Sequence, residues 1–275
     1  MAIRISRKRL EEIAPTLTDR DHEVLSSIRR CRYITTGQVG RLHFTGSAAT
    51  RSMLKAAMRN LNKLKALGLI DSLERRIGGV RAGSGSLVWR LESGGEQLLR
   101  MTDGEAFPHR KRFVPSVYFL AHTLAVTECS VQLMEICKHS GMKLMEVKNE
   151  PDCWRSYNGG GRIVSLKPDL FAVTRCGGYE DRWFFEIDLA TESPVKVIEK
   201  CRRYMAYYRG GLEQKQHDVF PLVVWIVPDE AREVGIRQHI QTEFSKLPHI
   251  FEVITPEKLE NLICQGADQM EGGQL

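Results

Sequence analysis

The sequence predicts a mixed α/β (α+β) fold that is divided into two domains. Helical spacing of apolar residues dominates the first hundred residues, whereas helices alternate with short apolar strands in the remainder. The charge divides in a similar way. Residues 1–118 contain 22 Lys and Arg against 11 Asp and Glu, while residues 119–275 contain 18 against 23. This asymmetry indicates two domains, of which the basic one faces a polyanion.

The composition excludes several classes of protein. No apolar run approaches the roughly 18 residues that a membrane helix needs. The basic N-terminus lacks the apolar core of a secretory signal. Seven scattered cysteines without a CxxC pair argue against a zinc site or a disulfide framework. We therefore expect a cytoplasmic protein with free thiols.

Three helices are predicted in the first domain. Thr18 is a candidate N-cap for a helix that carries Val24, Leu25 and Ile28 at helical spacing. A short helix is expected over 36–43, followed by a turn in which Ser47 caps a long helix over about 48–67. The apolar stripe expected on this long helix consists of Leu54, Ala57, Leu61, Leu64 and Leu67. Gly68 follows as its C-terminal stop.

Two short strands, at 69–77 and within 86–93, flank a glycine-rich tip and predict a β-hairpin. Helix, helix, long helix and basic hairpin together predict a winged helix-turn-helix over residues 1–100. Residues 101–115 are polar and contain two prolines, so we place the linker there.

The predicted long helix carries a basic face. Arg51, Lys55 and Arg59 recur every four residues, and Asn62 is a further candidate. The last helix of a helix-turn-helix enters the major groove, where such side chains reach phosphates and base edges. The alternative is a solvated basic helix face. Because a basic hairpin follows, we favour binding of double-stranded DNA, to which the hairpin would contribute Arg75, Arg76 and Arg81.

The second domain is expected over 116–265, with a disordered tail at 266–275. Its first helix covers about 116–140. Three strands follow at 142–149, 162–174 and 182–190. The rest of the domain is expected to contain, in order, a helix at 194–209, a strand at 221–227, a helix at 229–246, a strand at 250–254 and a helix at 256–264.

Three carboxylates fall on neighbouring predicted strands of this domain. Asp169 begins an apolar segment, and Glu186 and Asp188 share one face of the next strand because side chains alternate with period two. Clustered carboxylates favour a cation, and oxygen ligands suit Mg²⁺ or Mn²⁺. The alternative is an edge strand whose polar residues face solvent.

Three further residues could complete this cluster. Lys200 and Tyr204 share a helix face, and Lys200 could stabilise phosphate charge beside the carboxylates. Without that context they are a surface lysine and a core tyrosine. His122 lies among apolar residues and is either a metal ligand or a core histidine.

A separate prediction concerns four aromatic residues of the second domain. We predict that Trp154, Tyr157, Trp183 and Trp225 pack in the core or in loops rather than stacking on bases.

Several segments resemble the replication-relaxation family. They are TDRDHEVLSSIRRCRYITTGQVGRLHF, MRNLNKLKALGLIDSLERRIGG, LAHTLAVTE, KPDLFAV, FFEIDLATES and KCRRYMAYY, in this order. The resemblance covers most of residues 17–210. It implies an association with plasmids and other mobile elements, and a winged helix joined to a domain similar to the PD-(D/E)XK nuclease fold.

The resemblance also implies roles for individual residues. Asp169 and Glu186 match the first and second acidic positions of the nuclease pattern. Asp188 stands where that pattern has lysine, and Lys200 is placed to supply the lysine from the following helix. His122 resembles a histidine on the first helix of RecB-like nucleases, and Lys200 with Tyr204 resembles their QxxxY motif with Lys in place of Gln.

Three functions remain open at this point. The first is a DNA-binding regulator or accessory protein of replication or transfer, whose second domain is a degenerate nuclease fold. The second is a Mg²⁺-dependent endonuclease targeted by its winged helix. The third is a structural adaptor that works with replication, transfer or transposition proteins. A homodimer is a further expectation, since winged-helix regulators often dimerise.

Overall fold

The computed structural model describes residues 5–46, 49–73, 87–104 and 113–267, and shows a mixed α/β protein. The chain divides into two compact units, Met1–Val131 and Gln132–Leu275. The division falls inside a helix, whereas the predicted linker lies at 101–115. Most of that linker, 105–112, is outside the described residues.

The first unit begins with helices and continues into a small sheet. The sheet has the strand order β1-β3-β2. The elements are α1 (Arg7–Ile13), α2 (Asp19–Cys31), β1 (Ile34–Thr35), α3 (Thr36–His43), α4 (Thr50–Ala66), β2 (Ile70–Ser72), β3 (Val88–Leu91), α5 (Ser93–Asp103) and the first part of α6 (Val117–Ser140). The predicted order of three helices and a hairpin is therefore present, and α3 has the predicted bounds.

Local capping explains where α2 and α3 begin. The side chain of Thr18 accepts the amide of Asp21, and the Asp21 carboxylate accepts the amide of Thr18. Thr35 and Gln38 form the same reciprocal arrangement at the start of α3. Each such box satisfies amides that the first helical turn leaves without partners. The Thr18 cap was predicted, whereas the cap expected at Ser47 lies outside the described residues.

The predicted apolar stripe of α4 is correct in its middle and wrong at its start. Ala57, Leu61 and Leu64 are fully buried, but Leu54 is 37% exposed. Met53 packs against Gly40 of α3 at this level. The side chain that faces the core is therefore Met53, four residues before Ala57, and Leu54 is rotated away from it.

The hairpin strands β2 and β3 pair antiparallel, with Ile70 opposite Leu91. The indole nitrogen of Trp89 in β3 donates to Thr36 Oγ1 at 2.9 Å, which ties the hairpin to the start of α3. The predicted tip of the hairpin, with Arg75, Arg76 and Arg81, lies outside the described residues.

The second unit contains a five-stranded sheet with helices packed on it, and a separate two-stranded sheet. The five strands have the order β10-β9-β8-β7-β4, and β5 pairs only with β6. Strands β4, β7 and β8 run antiparallel, whereas β8, β9 and β10 run parallel. The elements are β4 (Lys143–Asn149), β5 (Arg155–Asn158), β6 (Ile163–Leu166), β7 (Leu170–Cys176), β8 (Tyr179–Ile187), α7 (Pro194–Gly210), α8 (Leu212–His217), β9 (Leu222–Ile226), α9 (Glu230–Phe244), β10 (Phe251–Ile254) and α10 (Leu259–Gln265).

The single strand predicted over 162–174 is wrong. Its residues form β6 and β7, which belong to different sheets. Pro168 lies between them, and a proline has no amide to donate to a central ladder. The partner of β6 is β5, which the sequence did not predict because its residues are mostly polar.

One face of the large sheet packs against α7 and α9. Phe171 and Phe184 lie opposite one another in β7 and β8 and are buried with Val223 of β9. Tyr204 from α7 and Ile236 from α9 belong to the same core. This face therefore presents the ends of β7 and β8 to α7.

No helix in the described part of the chain is long and apolar enough to cross a membrane. Of the predicted tail, Ala267 donates its amide to Asp181 Oδ1 at 2.9 Å, and 268–275 lie outside the described residues.

Candidate functional site

The first candidate site is the outer face of α4. Arg51, Lys55, Arg59 and Asn62 are all exposed. None of their four side chains has a hydrogen bond or an ion pair to another described residue. Three unneutralised cations at helical spacing form a face that can contact an anion without first breaking an internal ion pair. We call these four residues the α4 cationic face.

A buried carboxylate of α2 holds α4 in place. Asp21 of α2 is 1% exposed, and its oxygens accept hydrogen bonds at 2.7 Å from Asn60 Nδ2 and from Lys63 Nζ. Burial alone would raise the pKa of Asp21, but the hydrogen bonds that it accepts, first that of Lys63, hold this pKa below its ordinary value. Asp21 thus fixes α4 against α2 and leaves the α4 cationic face outward.

Sequence reasoning did not identify this anchor. Lys63 belongs to the same basic run as Lys55 and Arg59 and is likewise exposed, and only its ion pair with the buried Asp21 distinguishes it from them. The capping-box position of Asp21 could have suggested a structural role for this residue. It gave no sign of the partners of Asp21 on another helix.

The second candidate site lies where β7 begins and β8 ends. The register places Leu170 opposite Phe185, so Asp169 and Glu186 come to the same end of neighbouring strands. The amide of Ile187 donates to Asp169 Oδ2 at 2.8 Å. Asp169 is 7% exposed and Glu186 is 2% exposed. Two carboxylates are therefore buried side by side in the sheet.

Helix α7 supplies the partners of Glu186. The hydroxyl of Tyr204 donates to Glu186 Oε1 at 2.6 Å, and Lys200 Nζ lies 3.4 Å from Glu186 Oε2. Lys200 also lies 3.4 Å from Glu192 Oε2. Pro194 is the first residue of α7, where its fixed φ favours the start of a helix, and Lys200 and Tyr204 lie one turn apart on the face of α7 toward the sheet. The structure thus brings together Asp169, Glu186, Lys200 and Tyr204, which we call the carboxylate–lysine cluster.

The carboxylate–lysine cluster shifts the titration of its members. Burial, and then the negative charge of Asp169, raise the pKa of Glu186 to about 8 although Lys200 and Tyr204 oppose this. Burial would lower the pKa of Lys200, but the neighbouring carboxylates, Glu186 first, raise it above its ordinary value. Burial and Glu186 raise the pKa of Tyr204 as well. Glu186 therefore holds a proton near neutral pH that a bound cation could replace.

Asp188 does not join these side chains as the period-two pattern predicted. Strand β8 ends at Ile187, so the alternation of faces does not extend to Asp188. Its carboxylate accepts hydrogen bonds from Arg232 Nε at 2.7 Å and from the amide of Ala190 at 2.8 Å. Arg232 of α9 neutralises this carboxylate, and the sequence pattern gave no sign of that distant partner.

The predicted metal ligand set of Asp169, Glu186 and His122 is not formed. Within the described ranges, no group of three or more His, Cys, Asp or Glu side chains could hold a metal ion. His122 is half-buried on the part of α6 that belongs to the first unit. Asp169 and Glu186 alone supply the hard carboxylate oxygens that fit Mg²⁺ or Mn²⁺, and water would have to complete the coordination.

The fold and the two candidate sites define a two-unit α/β protein with an exposed cationic helix and a buried carboxylate–lysine cluster. The chain belongs to the replication-relaxation family, whose model matches residues 25–223. The match includes α4 and all members of the carboxylate–lysine cluster, and it supports a replication-related role. No curated protein and no solved structure matches the chain.

Proposed function

We propose that the protein binds double-stranded DNA through a winged helix-turn-helix in its first unit. The observation that carries this proposal is the α4 cationic face, whose four side chains have no partner among the described residues. Helix α4 has 17 residues and follows α3 after a short connection, as the recognition helix of a helix-turn-helix does. The antiparallel strands β2 and β3 stand where the wing is expected.

The physical basis is the match between the α4 cationic face and the major groove. This groove is about 12 Å wide and admits one α-helix. Arginine reaches guanine O6 and N7 or phosphate oxygens through a planar fork of donors. The Asp21 anchor keeps the helix from rotating, so the orientation of these donors is set before binding.

Duplex binding by single-residue variants tests this proposal. Arg51→Ala and Arg59→Ala are each expected to weaken binding by about 1–3 kcal/mol if the side chain reaches a base. Fluorescence anisotropy of a labelled duplex measures the change. Arg209→Ala, which removes an exposed arginine of α7, is the matched control and should bind as the parent does. Unchanged affinity in both α4 variants would remove α4 from the interface.

We further propose that this binding serves a regulatory or accessory step in the replication or transfer of a plasmid or other mobile element. The family to which the chain belongs supports this role. A homodimer, and contacts with replication, transfer or transposition proteins, belong to the same proposal.

A second candidate function is that of a Mg²⁺- or Mn²⁺-dependent DNA endonuclease. The proximity of Asp169, Glu186 and Lys200 supports it. Asp169 and Glu186 would be the carboxylate ligands of the cation, which when bound would activate water and stabilise the leaving oxygen. Lys200 would hold the charge of the scissile phosphate, and Tyr204 orients the Glu186 carboxylate through its 2.6 Å hydrogen bond.

Cleavage of supercoiled and linear DNA distinguishes the two functions. The protein is incubated with EDTA, Mg²⁺ or Mn²⁺, and each sample is divided between a native gel and a denaturing gel. An endonuclease would cut only with metal and would lose cutting, but not binding, in Asp169→Ala and Glu186→Gln. Glu199→Gln, an exposed glutamate of α7, is the control. Binding in EDTA without cutting under any metal would exclude the endonuclease function and support DNA binding.

A further inference from the structure

The hairpin of β5 and β6 has one face that no other described element covers. Its strands pair with Ser156 opposite Ser165 and Asn158 opposite Ile163. The same alternation extends one step further, to Trp154 and Lys167, and all six side chains are exposed. We call these six residues the hairpin face: Trp154, Ser156, Asn158, Ile163, Ser165 and Lys167.

Tryptophan is unusual at such a position in this chain. All four tryptophans lie in the described ranges, and three of them are at most 1% exposed. Trp154 lies in the loop that directly precedes β5, as one of the two predicted settings had it, and is 39% exposed. The Lys167 ammonium lies 4.5 Å from the centroid of its ring. Lys167 has no ion pair within the described part of the chain, so its charge is not neutralised by a carboxylate.

The other face of the hairpin fixes it to the second unit. Arg155 Nε lies 2.9 Å from Glu213 Oε1, and the rings of Tyr157 and Tyr207 have centroids 5.0 Å apart. Cys153 Sγ donates to the carbonyl of Pro168 at 3.0 Å, which joins the two chain segments at the base of the hairpin. Within the hairpin face itself, Asn158 Oδ1 accepts the amide of Gly161 at 2.9 Å and Lys167 contacts the Trp154 ring, so the two serines and Ile163 take no part in holding the hairpin among the described residues.

We propose that the hairpin face binds single-stranded DNA, with a base stacked on Trp154 and a phosphate paired with Lys167. The exposed Trp154 ring provides a stacking surface, and Lys167, whose ammonium lies over that ring, provides a phosphate contact once a base displaces it from the ring. The two serine hydroxyls can donate to and accept from base edges, and the Asn158 side chain can donate through its NH₂ group while its oxygen accepts the Gly161 amide. None of the six residues is acidic, although residues 119–275 as a whole carry an excess of acidic side chains.

A single strand fits this face better than a duplex does. The bases of a single strand are free to stack on a ring that projects from a flat surface, whereas the bases of a duplex are covered on both faces by their neighbours. The site also lies apart from the α4 cationic face in sequence and in unit, so this inference does not rest on the proposed duplex binding.

Tryptophan fluorescence gives a local readout of the contact. The full chain is titrated with an oligothymidylate of about 12 nucleotides. Because the other three tryptophans are buried, quenching by a stacked base arises from Trp154. We expect quenching in the parent protein, and binding without quenching in Trp154→Phe, which keeps a ring but loses the signal. Binding to the parent protein with unchanged fluorescence would overturn the proposal.

Affinity measurements with variants complete the test. Trp154→Leu is expected to weaken binding of the oligothymidylate at least about fivefold, the loss typical of one stacked base. Lys167→Gln is expected to lower the slope of log affinity against log salt by about 0.7. Tyr179→Leu and Lys246→Gln, which change an exposed tyrosine and an exposed lysine elsewhere in the unit, are the controls. Equal affinity of Trp154→Leu and Tyr179→Leu would overturn the proposal.

Two further experiments distinguish binding at the hairpin face from other contacts with nucleic acid. The double variant Arg51→Ala/Arg59→Ala should retain the quenching by oligothymidylate whether or not it binds a duplex, so failure of the proposed duplex function leaves the hairpin face testable. An oligouridylate of the same length should bind no more tightly than oligothymidylate. Tighter binding of the RNA would overturn the assignment to DNA.

Discussion

Glu186 illustrates how the environment of one residue sets its chemistry. Its carboxylate is buried beside that of Asp169, and both of its oxygens face α7 partners. The two attractive contacts, from Lys200 and Tyr204, do not compensate for burial and for the second carboxylate, so the pKa of Glu186 rises to about 8. A buried carboxylate that keeps its proton near neutral pH stabilises the fold less as that proton is lost.

The pH dependence of stability follows from this shift. An unfolded glutamate has a pKa of 4.5, and Glu186 has one of about 8 in the folded protein. Between these values the folded state holds a proton that the unfolded state has released. The contribution of Glu186 is therefore fully present below about pH 4.5 and is lost as the pH rises through about 8.

We expect the free energy of unfolding of the parent protein, relative to Glu186→Gln, to fall as the pH rises from about 5 to about 8. Lys200 is charged in both states over this range and does not contribute to the slope. Urea unfolding at several pH values measures the difference. The free energy of unfolding of Glu199→Gln should change with pH as that of the parent does. A difference between the parent and Glu186→Gln that does not change with pH would contradict the raised pKa of Glu186.

The pKa of Asp21 is shifted in the opposite direction to that of Glu186. Its pKa is held below the ordinary value, chiefly by the hydrogen bond of Lys63 against the effect of burial. The stability that it contributes is present at neutral pH and is lost as the pH falls through its folded pKa. The two carboxylates differ because Asp21 has cationic and amide donors, whereas Glu186 has a second carboxylate beside it.

At the scale of elements, the side of α4 that faces the core differs from the predicted apolar stripe. Met53, Ala57, Leu61 and Leu64 define the inward side, with Met53 against Gly40 of α3. The missing side chain of Gly40 leaves the space that Met53 occupies. An added Cβ would lie 3.2 Å from two Met53 carbons, so Met53 would have to shift by a few tenths of an ångström.

A matched pair of leucine substitutions tests the orientation of α4. Leu61→Ala is expected to lower the free energy of unfolding by about 2–5 kcal/mol, because Leu61 is fully buried and its removal leaves a cavity. Leu54→Ala, at an exposed position of the same helix, should change it by about 0.5 kcal/mol or less. Thermal or chemical unfolding measures both values. Equal losses in the two variants would show that α4 is rotated from this orientation.

The break between β6 and β7 has a consequence for the second unit. Pro168 lies between the end of β6 at Leu166 and the start of β7 at Leu170, and Cys153 Sγ donates to its carbonyl. The same short segment thereby supplies Lys167 to the hairpin face and Asp169 to the carboxylate–lysine cluster. Without this break, β6 and β7 would form one continuous strand, and Lys167 and Asp169 would lie in the same sheet.

Over the whole molecule, charge is distributed unevenly along the chain. Residues 1–118 carry twice as many basic as acidic residues, and the remainder carries more acidic than basic ones. Electrostatic attraction to a polyanion should therefore be concentrated in the first part of the chain. Binding through the α4 cationic face should release counterions from the DNA and be weakened by salt.

We expect log affinity for duplex DNA to fall linearly with log salt, with the slope reduced in magnitude by about 0.9 for each phosphate contact removed. Lys55→Ala is expected to show such a reduction if Lys55 contacts a phosphate. Titrations at four salt concentrations measure the slopes. Lys246→Ala, in the second unit, should keep the parental slope, and the same slope in Lys55→Ala would exclude a phosphate contact at that residue.

The sequence by itself determined the mixed α/β class, most helices, and the proximity of Lys200 and Tyr204 on one helix face. These features follow from local rules: capping residues, proline at a helix start, and apolar spacing over one or two turns. The order of helices and hairpin in the first unit was predictable for the same reason. The strand pattern also singled out Asp169 and Glu186, which the family resemblance then matched to two acidic positions, and the register of β7 and β8 places them at one end of the sheet.

Only the tertiary structure decided which partner each charged group has. Asp188 pairs with Arg232, Lys63 pairs with the buried Asp21 while Lys55 has no partner among the described residues, and Trp154 lies on an exposed hairpin face. These outcomes depend on contacts between residues that are distant in sequence, or on where a strand ends. Local periodicity carries no information about them, because it fixes the face on which a side chain lies but not what packs against that face.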